Sequence, residues 1–205
     1  SKIAIIKSLN SIIESDQIYG SSKSDETYNI EFVSANPTGP MHVGHCRGAI
    51  YGDVLANLLK FNGNEVVKEY YINDYGNQIK NFVESVYLRI REIKFGEKFT
   101  VKENLYPGLY IKSIAQKILD KSKDTEFDNF DNIFEELKKK SLQESMDLIK
   151  NDLALLGITH DNFFSESDLV NKDLVNKAII QLTNKKFVEE GYLQPPKGEI
   201  NENWK

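Results

Sequence analysis

Apolar residues recur along this chain with two periods, about 3.6 and 2, and the switches between them predict the order of elements. Ile5, Leu9, Ile12 and Ile13 share one helical face, so residues 1–17 are expected to be a helix, followed by a Gly/Ser-rich loop at 20–24. Residues 28–34 are β-branched and aromatic and alternate, which predicts a strand. Two prolines and a glycine at 35–40 hold neither a ladder nor a helix, so a loop must follow. Ile50, Val54, Leu55, Leu58 and Leu59 mark a helix over 45–61 that ends near Gly63, with Gly48 and Gly52 placed for close approach to a neighbour. A second strand is expected at 65–72 and a turn at 73–76. Ile79, Phe82, Val83, Val86, Tyr87 and Ile90, spaced 3, 1, 3, 1, 3, then predict an amphipathic helix.

Further on, 110–121 and 133–156 read as helices. The second carries a stripe of Leu142, Met146, Ile149, Leu153 and Leu156, read as core packing, and Gly157 stands where a left-handed cap belongs. A third strand is expected at 160–165 and a helix at 174–190 capped by Gly191; the tail from Gln194 has no period. The pairs Tyr70-Tyr71 and Phe163-Phe164 read as strand core. Strand, loop, helix, strand, helix is the βαβα unit of a parallel sheet, so the fold class is α/β, with helical embellishment over about 95–156. A sheet of three strands leaves an exposed edge, and an uncovered apolar face is expected.

Composition narrows the classes. The chain has 40% hydrophobic and 28% charged residues, as in ordinary globular proteins, and no apolar run long enough to span a membrane. It lacks the features of a signal peptide. One cysteine, Cys46, excludes an internal disulfide and fits a reducing compartment, so cytoplasm is expected; Cys46 itself reads as a small buried helix residue. The net charge of −5 argues against gripping nucleic acid with the whole surface, though a local basic patch remains open. A start at Ser1 without methionine and an uncapped end at Lys205 read as cuts in a longer sequence.

The candidate chemistry lies in His42-Val43-Gly44-His45, which follows a strand and a Pro/Gly loop and opens a helix. A helix N-terminus offers unpaired N–H groups and a partial positive charge to phosphate. Two histidines three apart project to one side and add donors, and Gly44 leaves room for a base or ribose. The bland alternative is a pair of capping or surface histidines. A metal held by His42, His45 and Cys46 is disfavoured, because spacings of three and one do not converge on one ion and no second cluster completes a site.

The run Glu31-Phe32-Val33-Ser34-Ala35-Asn36-Pro37-Thr38-Gly39-Pro40-Met41-His42-Val43-Gly44-His45 resembles the signature block of the class I aminoacyl-tRNA synthetases, in the form used by bacterial arginyl-tRNA synthetases. Tyr70-Tyr71-Ile72-Asn73-Asp74-Tyr75-Gly76-Asn77-Gln78, Leu156-Gly157-Ile158-Thr159-His160-Asp161 through Phe164-Ser165-Glu166, and Pro195-Pro196-Lys197-Gly198 are similar to later blocks of that family. The resemblance spans about residues 18–205. It implies an incomplete class I Rossmann-type sheet: residues 1–26 a helix and linker, 27–168 the first half of the catalytic domain, and 169–205 the start of a connective insertion.

The same resemblance implies ATP with magnesium as substrate, no tightly held metal, arginine and tRNA(Arg) as partners, no membrane and a monomer. His42, Gly44 and His45 would bind ATP, with His42 and His45 catalytic. Glu31, Ser34, Asn36, His45, Asp74 and Gln78 would line the arginine site, Glu31 facing the guanidinium. From the residues alone, Glu31 could equally be a solvent-facing strand charge and Asp74 a turn residue. A small nucleotidylyltransferase using the same string, or a non-catalytic nucleotide-binding module, also fits the residues. The lysine-rich second signature of the class, the later tyrosine and aspartate of the arginine pocket and the helical anticodon-binding domain have no counterpart in this chain. ATP–pyrophosphate exchange by these 205 residues alone is therefore expected to be undetectable, and robust arginine-dependent turnover would refute that.

Overall fold

A computed structural model describes residues 2–100, 102–122, 125–189 and 191. The chain divides into two compact units, residues 1–166 and 167–205. In the first, α1 (Lys2–Ser15) and a 3-10 turn (Asp16–Ile18) lead to β1 (Thr27–Glu31), α2 (Val43–Phe61), β2 (Glu65–Ile72), α3 (Asn77–Phe95), α4 (Leu109–Lys121), α5 (Phe130–Leu155) and β3 (Asn162–Ser165). A short α6 (Glu166–Asn171) begins at the last residue of that unit, and α7 (Leu174–Asn184) lies in the second.

The strands pair in parallel in the order β1-β2-β3, with Thr27 opposite Glu65 and Glu69 opposite Asn162. The α/β reading and the parallel sheet therefore hold. Val66, Lys68 and Tyr70 of β2 are buried on one face. There Lys68 meets Asp53 and Asn57 of α2, and Tyr70 packs in a cluster with Phe32, Ala49 and the Met146, Ile149 and Leu153 of α5. Successive crossovers of one hand put both helices on the same side of a sheet. The opposite face is uncovered among the described residues and largely polar. Thr27, Asn29, Glu31, Glu65 and Asn162 are exposed there, with side-chain hydrogen bonds from Thr27 to Glu65 and from Asn162 to Glu69.

The expected uncovered apolar face exists, but on α2 rather than on the sheet. The helix buries its small residues, Ala49, Gly52 and Ala56, and turns Ile50, Val54, Leu55, Leu58 and Tyr51 outward, the last 74% exposed. Gly52 explains the choice: a Cβ there would lie 2.3 Å from Cγ of Phe32, so the helix sits directly on that ring. Gly48, expected to do the same, faces open space. Cys46 is half-buried, bordering a shallow groove with Val43, Arg47 and Ile50, rather than buried.

A second core lies away from the sheet. Ile79, Phe82, Val83, Val86 and Ile90 of α3, the positions announced by periodicity, pack against Ile111, Ile114 and Ile118 of α4 and Leu137 of α5. The α5 stripe is core at Met146, Ile149 and Leu153, whereas Leu156 is exposed. Gly157 caps the helix at φ 73°, with the Ile158 N–H reaching back to the carbonyl of Leu153 at 2.9 Å.

Several boundaries move for physical reasons. The first strand stops at Glu31, not Ser34, because Val33 and Ser34 take φ of 67° and 41° and turn the chain out of the sheet. A β-branched residue in that region is strained. The third strand starts at Asn162, after Asp161 has used its N–H on the Lys68 carbonyl at 2.8 Å. The last helix ends at Asn184, with Lys186 at φ 59°, so Gly191 does not cap it; the expected end at Glu190 and the tail from Gln194 lie outside the described residues. Tyr70 is core, but Tyr71 and Phe164 stack on each other at 6.4 Å, and Phe164 is exposed.

His160 sits among the rings of Phe32, Tyr70 and Phe163, 4.3 Å from the first, with neither ring nitrogen hydrogen-bonded among the described residues. Burial lowers its pKa from the ordinary 6.5; the Phe32 backbone opposes the shift without reaching hydrogen-bond geometry, and the Lys68 ammonium adds to it. Below that ordinary value the unfolded chain takes up a proton that the folded chain refuses. Stability should therefore fall as pH drops from 7 through the folded pKa. Urea unfolding at pH 7, 6 and 5 should show a shallower loss in His160→Leu than in the wild type, and parallel curves would contradict this. The two helix glycines give a second contrast. Gly52→Ala should cost about 1–3 kcal/mol by overpacking Phe32, whereas Gly48→Ala should stabilise by about 0.5–1 kcal/mol, both read from urea midpoints.

Candidate active site

The site is built where the parallel strands end. The left-handed turn at Val33 and Ser34 folds the Ser34 side chain back, so that its hydroxyl donates to the Glu31 carboxylate and accepts from the Tyr71 N–H at 3.0 Å. Tyr70, wholly buried, donates its hydroxyl to the Ala35 carbonyl at 2.9 Å, and burial raises its pKa, so it remains a donor at any physiological pH. These two bonds hold both sides of the turn. The Asn36 amide donates to the side-chain oxygen of Gln78, in the first turn of α3, at 3.1 Å. The Asp74 carboxylate, just past β2, accepts from the Ser165 hydroxyl at the end of β3 at 2.7 Å. Next to it, Glu166 keeps one carboxyl oxygen buried without a hydrogen-bond partner among the described residues.

His42 is the N-cap of α2, and each histidine is engaged by the backbone of the same turn. Nδ1 of His42 accepts from the Gly44 N–H at 3.1 Å, and Nδ1 of His45 accepts from the His42 N–H at 3.3 Å, a capping-box exchange. The rings stack at 3.7 Å with 16° between planes. A neutral imidazole whose Nδ1 accepts must carry its proton on Nε2. Both side chains are thus set as Nε2–H donors. Burial, and then the repulsion that a protonated His42 would exert, lower the pKa of His45, which keeps it neutral near pH 7. A Cβ on Gly44 would lie 3.0 Å from the His42 ring, so the missing side chain makes room for that imidazole.

A cavity of about 360 Å³ opens beside the pair, lined by Asn36, Thr38, Gly39, Pro40, His42, His45 and Tyr110. Of the candidate residues, Asn36, His42 and His45 meet in this cavity, with Gln78 joined through Asn36. Glu31, Ser34 and Asp74 lie at the strand ends outside its wall, Ser34 bonded to Glu31 and Asp74 to Ser165, and Glu31 is exposed. Tyr110 was not foreseeable: it comes from α4, donates its hydroxyl to the Thr38 carbonyl at 3.0 Å and lies flush against Gly39. No local pattern announces a contact across 72 residues. Glu166 carried a weak signal, as the acidic residue closing the third strand.

Residues 8–192 match the family profile described as tRNA synthetases class I (R), catalytic domain. Among curated proteins, the arginine–tRNA ligase of Pelagibacter ubique (strain HTCC1062) is 54% identical over 202 residues, covering 97% of this chain and 34% of that protein. That of Ehrlichia ruminantium (strain Welgevonden) is 53% identical over 179 residues, covering 86% and 31%. The chain thus spans about a third of the length of these relatives. A solved structure titled as a putative arginyl-tRNA synthetase from Campylobacter jejuni superposes with a TM-score of 0.81 at 31% identity, over 93% of this chain and 42% of that one. The Thermus thermophilus arginyl-tRNA synthetase shares the fold at a TM-score of 0.53 and 20% identity, over 93% of this chain and 32% of that one. With this profile matched over most of its length, on a parallel sheet that presents paired histidines at its strand ends, the chain belongs to the arginine class I tRNA synthetase catalytic-domain family.

Proposed function

We propose that this chain supplies the nucleotide- and amino-acid-binding part of an arginine–tRNA ligase, which joins arginine to ATP as arginyl-adenylate and then passes the arginyl group to tRNA(Arg). The observation that carries the reading is the stacked His42–His45 pair, whose Nδ1 atoms are held by the backbone so that both rings present Nε2–H beside a strand-end cavity. In the adenylation step the carboxylate of arginine attacks the α-phosphorus of ATP and pyrophosphate leaves. Negative charge builds on the phosphoryl oxygens, where preorganised donors act most strongly. His42 and His45 fill that role, assisted by the N-terminus of α2. Magnesium enters with the ATP as part of the substrate.

The amino acid fits the residues at the strand ends. Glu31, Asp74 and Glu166 bring three carboxyl groups to the ends of the three strands, a field suited to a guanidinium. Ser34, Asn36 and Gln78 carry the neutral donors and acceptors that the amino and carboxyl groups of arginine require. The residues from 169 onward are read as the start of a connective insertion, the compartment as cytoplasm and the protein as a monomer.

In a complete arginine–tRNA ligase containing this segment, His45→Ala should slow arginine-dependent ATP–pyrophosphate exchange by roughly 10²–10³. Because His45 also closes the capping box, a stability loss of about 1 kcal/mol should accompany it. A rate within about tenfold of wild type, with the fold intact by thermal melting, would remove His45 from this role.

A further inference from the structure

The loop that delivers His42 is held from behind by helix α5. The Met41 N–H, one residue before the N-cap histidine, donates to Oδ2 of Asp152 at 3.1 Å across 111 residues of sequence. The Met41 side chain packs in the same place, against the cluster that contains Met146, Ile149 and Leu153 of α5. One residue is thus fixed twice, its backbone by α5 and its side chain by the core that α5 shares with the sheet and α2. Pro40 on its other side has no N–H and a fixed φ, so the chain has little freedom to absorb a shift there. The direction in which His42 enters α2 is set by the peptide unit that Asp152 holds. Without an acceptor, the half-buried Met41 N–H would rotate to find water and turn the His42 ring with it.

From this geometry, and resting on the proposed role of the histidine pair, we infer that Asp152 is a positioning residue for adenylation: it touches neither nucleotide nor arginine and acts by orienting the His42 ring through Met41. The property that matters is a hydrogen-bond acceptor at a fixed place, not a negative charge. An asparagine retains a side-chain oxygen there, a glutamate carries it one methylene too far, and an alanine removes it.

The test uses the complete arginine–tRNA ligase containing this segment, with ATP–pyrophosphate exchange as the readout. Asp152→Ala should lower kcat about tenfold or more, since small misplacements of catalytic groups carry penalties of this size, while the KM for arginine stays within about threefold. Asp152→Asn should stay within about threefold of wild type, and Asp152→Glu should fall between the two. In a His42→Ala background the effect of Asp152→Ala should shrink below about threefold, because the ring it orients is gone. Asparagine as slow as alanine, an alanine variant at wild-type speed, or an undiminished effect in the His42→Ala background would each overturn the inference. Should Asp152→Ala fail to fold, the other two variants decide: a slowed glutamate beside a near-normal asparagine supports it, and a glutamate at wild-type speed overturns it. His45→Ala in the same assay separates the two levels. If it runs at wild-type speed, the reading of the site fails and this inference goes with it. If it is slow while Asp152→Ala is normal, only the inference fails.

Discussion

A buried ammonium group ties this structure together. Lys68, in the middle of the central strand, is 7% exposed, and its Nζ lies 2.6 Å from Asp53 and 3.0 Å from the side-chain oxygen of Asn57, one turn apart on α2. Asn57 in turn donates to the other oxygen of Asp53 at 2.8 Å. Pairs of this kind add little net stability against an apolar substitute, but losing one partner strands a charge at a cost of about 3–5 kcal/mol. They specify an arrangement more than they strengthen it. Here the specification is the placement of α2 over β2. The backbone of Lys68 extends it to the approach of β3: its N–H donates to the Asp161 carboxylate at 2.9 Å and its carbonyl accepts from the Asp161 N–H at 2.8 Å. One residue thus sets the relative positions of a helix and two strands whose ends carry the candidate site.

From that frame the site follows through a deliberate break. Parallel strands aim their carboxyl ends at one edge of the sheet, where α/β proteins bind ligands. The chain leaves β1 by way of two left-handed residues, and Tyr71 and Tyr70 hold the resulting turn by a backbone bond to Ser34 and a buried hydroxyl bond to Ala35. The loop then reaches α2 with the imidazoles already locked against its first turn. Electrostatic stabilisation of a transition state depends on donors that need not move when charge appears. Rings stacked on each other and tied to the main chain meet that requirement.

Much of this was legible from the residues, and the exceptions share a cause. The order of helices and strands, the buried face of α3 and the glycine cap of α5 follow from periods and capping chemistry, which are local. The grouping of Asn36, His42 and His45 followed from a motif whose members are neighbours in sequence. Reading failed where distant parts meet. The outward turn of Ile50, Val54 and Leu58 depends on how closely Gly52 can approach Phe32, and apolar periodicity marks a helix without saying which side faces the sheet. The early end of β1 depends on Tyr71, 37 residues from Ser34. Tyr110 and Asp152 reach the loop before α2 from helices that pattern reading treats as packing.

These long separations bear on how the protein is made. Met41 leaves the ribosome 111 residues before Asp152, an interval on the order of ten seconds at ordinary elongation rates. Throughout that time the Met41 N–H has water for a partner, while β1, α2 and β2 can already pair and pack. The loop before α2 therefore gains its final shape late, as vectorial synthesis delivers α5, and the β1–β2 pair can form while that edge is still unset.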